Sequence, residues 1–115
     1  MEEIKESIEV TYAKDIAFID NEVITKLPCG EYCKYSKILK GISVTNMTKQ
    51  QYVRYWTSKY NRYPNFKKQI QQKCEDKLLN GLLPISDMIQ LVNNSKDTPK
   101  EKQKVLKLLS TNINN

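Results

Sequence analysis

Residues 48 to 110 carry so many helix start and stop signals that little freedom of fold is left to them. Thr48-Lys-Gln-Gln51 is a capping box, in which hydroxyl and glutamine side chains reciprocally satisfy backbone N–H groups that the first helical turn leaves open. A helix is expected from about Lys49 to Arg62. Pro64 disfavours helical geometry at Tyr63 and makes a break, after which Phe66, Ile70, Cys74 and Leu78 recur on one face until Asn80-Gly81 closes the run. Pro84 to Asn93 resumes with Ile85, Met88, Ile89 and Val92, and Asn93-Asn94-Ser95 reads as a loop. Thr98, Pro99 and Glu101 then open a last helix with Val105, Leu108 and Leu109 facing inward, and Asn112 to Asn115 are expected to fray.

The N-terminal part is less sharply marked. Ile4, Ile8, Tyr12, Ile16, Ile19 and Val23 share one helical face, with glutamates in the first turns where the helix dipole favours them. The competing pattern is a β-hairpin: Ile8, Val10 and Tyr12, then Ile16 and Phe18, alternate at period two about an Asp20-Asn21 turn. After Leu27-Pro28, the spacing of Tyr32, Tyr35, Ile38, Leu39 and Ile42 predicts a short second helix that Gly41 loosens or stops. The fold expected is all-α, a single domain over residues 1–115 built as a compact bundle of about five or six short helices, with the N-terminal hairpin as the alternative. No heptad is sustained, which argues against a coiled coil.

Charge is unevenly placed. Residues 1–23 hold seven acids against Lys5 and Lys14, whereas residues 24–115 hold seventeen basic residues against six acids. The acidic segment is expected to pack on the basic body and partly neutralise it, rather than to meet a separate partner. Lysine outnumbers arginine 17 to 2 beside 11 isoleucines and 10 asparagines, as codons of an AT-rich genome such as a virus, phage, parasite or AT-rich bacterium would give. Lysines of that origin need not have been selected to touch phosphate. No apolar run is long enough for a membrane span, and Met-Glu-Glu-Ile-Lys-Glu is the reverse of a signal peptide's basic start. With only Cys29, Cys33 and Cys74, an intracellular, reducing setting is expected.

Catalysis is hard to build from these residues. The chain has no histidine, so no Ser-His or Cys-His pair, and Gly30, Gly41 and Gly81 stand apart rather than forming a phosphate loop. Glu75-Asp76 diverge on a helix. Cys29 and Cys33 could share a helical face, but a structural zinc site needs four ligands and only Cys74 and a carboxylate such as Glu31 could complete it. A redox thiolate would need a cation such as Lys26 or Lys34 beside it. No enzyme, cofactor or metal is expected.

The feature that points to a function is Tyr52 to Lys68, which packs six of ten aromatics and five basic residues into one stretch without an acid. On a helix, Tyr55, Trp56, Tyr60 and Tyr63 spread from about −60° to +80° around Tyr52, and Lys59 falls within that stripe. Four aromatics exceed what one short helix usually buries, and the enclosed lysine argues that part of the face is open. Exposed rings stack on bases while cations neutralise phosphates. The expected function is therefore non-enzymatic nucleic-acid binding, mainly to the backbone, through Arg54, Tyr55, Trp56, Lys59, Arg62, Tyr63, Lys67 and Lys68, with Lys100, Lys102, Lys104 and Lys107 of the last helix in support. The same stripe could instead be core. A helix-turn-helix fits poorly, because Ile85-Ser-Asp-Met-Ile-Gln-Leu-Val carries no Lys or Arg. The alternative is a protein-interaction module, an accessory or regulatory subunit or a viral or phage factor acting on a host protein, with Tyr55, Trp56 and Arg62 as anchors. Peripheral attachment to an anionic membrane ranks third.

Overall fold

Helix starts follow local chemistry. Ser7 accepts the amide of Val10 through its hydroxyl and opens α1, Ile8–Asp20, in the computed structural model, which describes residues 7–110. Thr48 and Gln51 form the expected capping box at the start of α2, Lys49–Thr57, which tightens into a 3-10 turn at Ser58–Tyr60. Pro64 is the first residue of α3, Pro64–Asn80, and α4 follows at Ile85–Asn93. The Thr98 hydroxyl accepts the Glu101 amide at the head of α5, Pro99–Ser110. Ile4 and Asn112 to Asn115, which the sequence places on the first apolar face and in a frayed end, lie outside the described residues.

Between α1 and α2 the fold departs from the all-α bundle. Three antiparallel strands, β1 (Glu22–Lys26), β2 (Tyr32–Ser36) and β3 (Gly41–Met47), pair in the order β1-β2-β3, so the molecule is α+β, mainly helical with one small sheet. Neither the second helix over Tyr32–Ile42 nor the hairpin over Ile8–Phe18 is present. Ile38 and Leu39, two of the supposed inward residues, lie exposed on the β2–β3 turn, where Lys40 adopts a left-handed conformation. Val23, the last residue of the expected helical stripe, is in β1, paired with Tyr35. Cys29 and Cys33 do not share a helix face: the first is in the turn after β1 and the second in β2.

The sheet is covered on both sides. Ile24, Tyr32, Val44 and Met47 pack with Ile19, Tyr52, Trp56, Tyr60, Ile70, Cys74 and Leu78 of α1, α2, the 3-10 turn and α3. The alternate strand positions Val23, Cys33, Tyr35 and Ile42 pack with Met88 and Val92 of α4 and Val105 and Leu109 of α5. This gives three layers, helices on either side of a sheet, with the period of two along β1 and β2 deciding which layer a side chain joins; in β3 a shift of register between Ile42 and Val44 breaks the period, so these two join opposite layers. α4 is thereby a packing helix.

The acidic segment packs on the basic body. Asp15 pairs with Lys59 at 3.0 Å, Asp20 with Lys73 at 2.5 Å, and Glu22 with Lys34 at 2.8 Å. α1 has no basic residue in its last turn, and α3 supplies one: Lys77 donates through Nζ to the carbonyls of Ile19 and Glu22. A cation placed at these carbonyls complements the helix dipole. Among the described residues no helix is long and apolar enough to cross a membrane.

Candidate nucleic-acid interface

The aromatic stripe divides between core and surface. Tyr52, Trp56 and Tyr60 are buried, at 1, 6 and 0% exposure, whereas Tyr55 and Tyr63 stand 65 and 41% exposed. Burial of the three is stabilised by hydrogen bonds to acids from the N-terminal segment. Tyr52 Oη and Trp56 Nε1 donate to Glu22 Oε1 at 2.9 and 3.2 Å, and Tyr60 Oη donates to Asp15 Oδ2 at 2.7 Å. Desolvation and these neighbouring carboxylates push both tyrosine hydroxyls above their ordinary range. Trp56 is therefore wall and core, and offers no face for stacking.

Lys59 sits in the stripe because a buried acid faces it. Its ammonium pairs with Asp15 and lies 5.9 Å from the centre of the Trp56 ring, so it closes the α1–α2 junction. Lys34 from β2 is held more tightly. Its Nζ lies 5.4, 4.9 and 5.5 Å from the ring centres of Tyr52, Tyr55 and Trp56 while pairing with Glu22, an aromatic cage occupied by the protein's own lysine.

The other basic residues face outward on another flank of α2. Gln50, Val53, Arg54, Thr57, Ser58, Asn61 and Lys67 line a groove of about 600 Å³ where α2 and the 3-10 turn meet the start of α3. Arg54 comes from α2 and Lys67 from α3, and no acid is among the lining residues. Lys67 Nζ donates to Asn61 Oδ1 at 2.9 Å, which fixes the ammonium toward the groove. Arg54, Arg62 and Lys68 make no ion pair among the described residues. Lys68 borders the adjoining depression with Pro64, Lys67, Gln71, Gln72 and Glu75.

The eight residues singled out from the sequence thus fall into two groups. Arg54, Lys67 and Lys68, with Arg62 and Tyr63 at the corner before α3, form one basic tract, while Tyr55, Trp56 and Lys59 line a separate depression with Asp15, Glu22 and Lys34. Gln50, Ser58 and Asn61 were not among the residues read as a site. Their spacing of four, eight and eleven from Gln50 through Arg54 to Asn61 places them on one helical flank, a signal that was there to use.

The thiols are poor candidates for chemistry. Cys29 is exposed, and burial pushes Cys33 and Cys74 up to about 12. Cys33 faces the α4–α5 layer, away from its neighbour Lys34. Among the described residues no group of three or more His, Cys, Asp or Glu could hold a metal ion. Comparison with known proteins finds no matching family model, no matching curated protein and no matching solved structure, so the geometry of this tract is what a functional reading rests on.

Proposed function

We propose that the protein binds nucleic acid without catalysing a reaction, through the basic groove between α2 and α3. The observation that carries this is the lining: Arg54 and Lys67 converge from two helices on one groove with amide and hydroxyl side chains around them and no acid among them. Cations neutralise phosphates, and Asn, Gln and Ser donate to phosphate and sugar oxygens, which positions a strand without reading its sequence. Among the described acids of the N-terminal segment, Asp15, Asp20 and Glu22 are committed to Lys59, Lys73 and Lys34.

Anisotropy of a labelled oligonucleotide at about 50 and 200 mM salt tests this, because phosphate contacts weaken steeply over that range. Wild type is expected to lose affinity as salt rises, and Arg54→Ala with Lys67→Ala to weaken binding and lower the salt slope by about two. Salt-independent binding, unaltered in the double variant, would sink the proposal.

A second reading, a protein-interaction surface, draws on the other flank of α2. There Phe18, Leu39 and Tyr55, exposed by 37, 62 and 65%, surround a depression of about 250 Å³. Rings and aliphatic side chains of this kind anchor protein interfaces, and binding through them depends weakly on salt.

A further inference from the structure

The basic tract ends in a pocket of different chemistry. The depression beside Lys67 and Lys68 measures about 430 Å³, and Pro64 forms part of its wall. Pro64 also belongs to the next depression, about 290 Å³, whose other lining residues are Arg62, Tyr63, Asn65 and Phe66. Phosphate-binding groups therefore lead directly into a pocket walled by rings.

Phe66 is a rigid wall. Its ring stacks on Tyr12 at 4.4 Å between centres and 21° between planes, and meets Tyr60 edge-on at 6.3 Å. Tyr63 lies 6.3 Å from Phe66, tilted by 34°, and is 41% exposed at the rim. Arg62 contributes a planar guanidinium, and Asn65 an amide able both to donate and to accept. Ring faces beside mixed hydrogen-bonding groups suit a flat heterocycle with a polar edge, which describes a nucleobase. A base inside a duplex is covered on both faces and cannot enter. A base of a single strand can, and its own phosphates would lie toward Lys67, Lys68 and Arg54.

We infer that the preferred ligand is single-stranded nucleic acid, with one unpaired base in the Arg62–Tyr63–Asn65–Phe66 pocket and the neighbouring phosphates along the α2–α3 tract. This rests on the nucleic-acid reading above. The test compares three fluorescein-labelled probes of about 12 nucleotides, within the usual length of a single-strand site: oligo-dT, the same backbone with abasic spacers throughout, and a duplex of equal length. Wild type is expected to bind oligo-dT about tenfold more tightly than either other probe, a ratio within the range one stacked base supplies.

Tyr63→Ala should lower oligo-dT affinity to that of the abasic probe, and Asn65→Ala should reduce the advantage in part. Because Tyr63 and Asn65 are on the surface, circular dichroism is expected to match wild type. Equal affinity for all three probes, unaltered by Tyr63→Ala but lost in Arg54→Ala with Lys67→Ala, would overturn the base pocket and keep the groove. Binding to none of the probes would overturn both.

Discussion

Glu22 gathers the polar contacts of the α1–α3 layer on one carboxylate: the Lys34 ammonium at 2.8 Å, the Tyr52 hydroxyl at 2.9 Å and the Trp56 indole at 3.2 Å. Both charges are almost wholly buried, so removing one leaves the other without compensation in a medium of low polarity. Glu22→Gln keeps the shape and is expected to cost about 3 kcal/mol in urea unfolding, and adding Lys34→Met should recover most of it. A loss under about 1 kcal/mol, the worth of an exposed pair, would show that the charge pair is not desolvated as the structure has it. These contacts also explain where the sequence misleads. Lys59 reads as a sign that part of the face is open, and it is 45% exposed, but helical spacing sees only its own helix and misses its partner Asp15, which arrives from 44 positions earlier. The exposure of Tyr55 and the burial of Trp56 are likewise decided by α1 and β2, not by neighbours in sequence.

At the scale of elements, what was legible depended on who sets the boundary. The starts of α2, α3 and α5 and the Asn80-Gly81 stop are fixed by caps and prolines within a few residues, and these stand where the sequence puts them. The sheet was hidden because both its faces are buried: β2 runs Tyr-Cys-Lys-Tyr-Ser with its last four residues all buried, which erases polar-apolar alternation. Lys34 inside that run reads as a solvent position until its ion pair is known. The end of the sheet is also tied down from a distance. Asp97 Oδ2 accepts the Ile42 amide at 3.0 Å, and the Lys96 amide donates to the Lys40 carbonyl at 2.8 Å, fastening the α4–α5 connection to the start of β3. A Cβ on Gly41 would stand 2.5 Å from Asp97 Oδ1, so Gly41→Ala must displace the carboxylate that holds this junction. The expected cost is about 1–3 kcal/mol, the loss of a part-buried hydrogen bond, and Asp97→Ala should remove most of the difference between the glycine and alanine proteins. Additive losses from the two substitutions would show that they act at separate places.

The whole molecule places opposite fields against each other, Asp15 and Asp20 of α1 and Glu22 of β1 against Lys59 of the 3-10 turn, Lys73 of α3 and Lys34 of β2, while no acid lines the α2–α3 groove. The same packing sets its response to alkali. Cys33 and Cys74 are pushed by burial from the ordinary 9.0 to about 12, and the Tyr52 and Tyr60 hydroxyls are raised as well. Above pH 9 for the thiols and above 10 for the tyrosines the unfolded chain releases protons that the folded one keeps, so these groups favour the fold below those values and lose that contribution as pH climbs toward their folded values. Lys77 acts in the other direction. Burial lowers its pKa from 10.5, the folded chain holds fewer protons there, and stability gains as pH rises through that window. Two thiols and two hydroxyls outweigh one lysine, since each fully released group is worth about 1.4 kcal/mol per pH unit. Denaturant unfolding between about pH 9 and 10.5 is expected to show a net fall of about 3 kcal/mol or more, and Cys33→Ala with Cys74→Ala to remove more than half of it. A decline of the same size in that double variant would mean the thiols titrate alike in both states and are not buried in the two layers that flank the sheet.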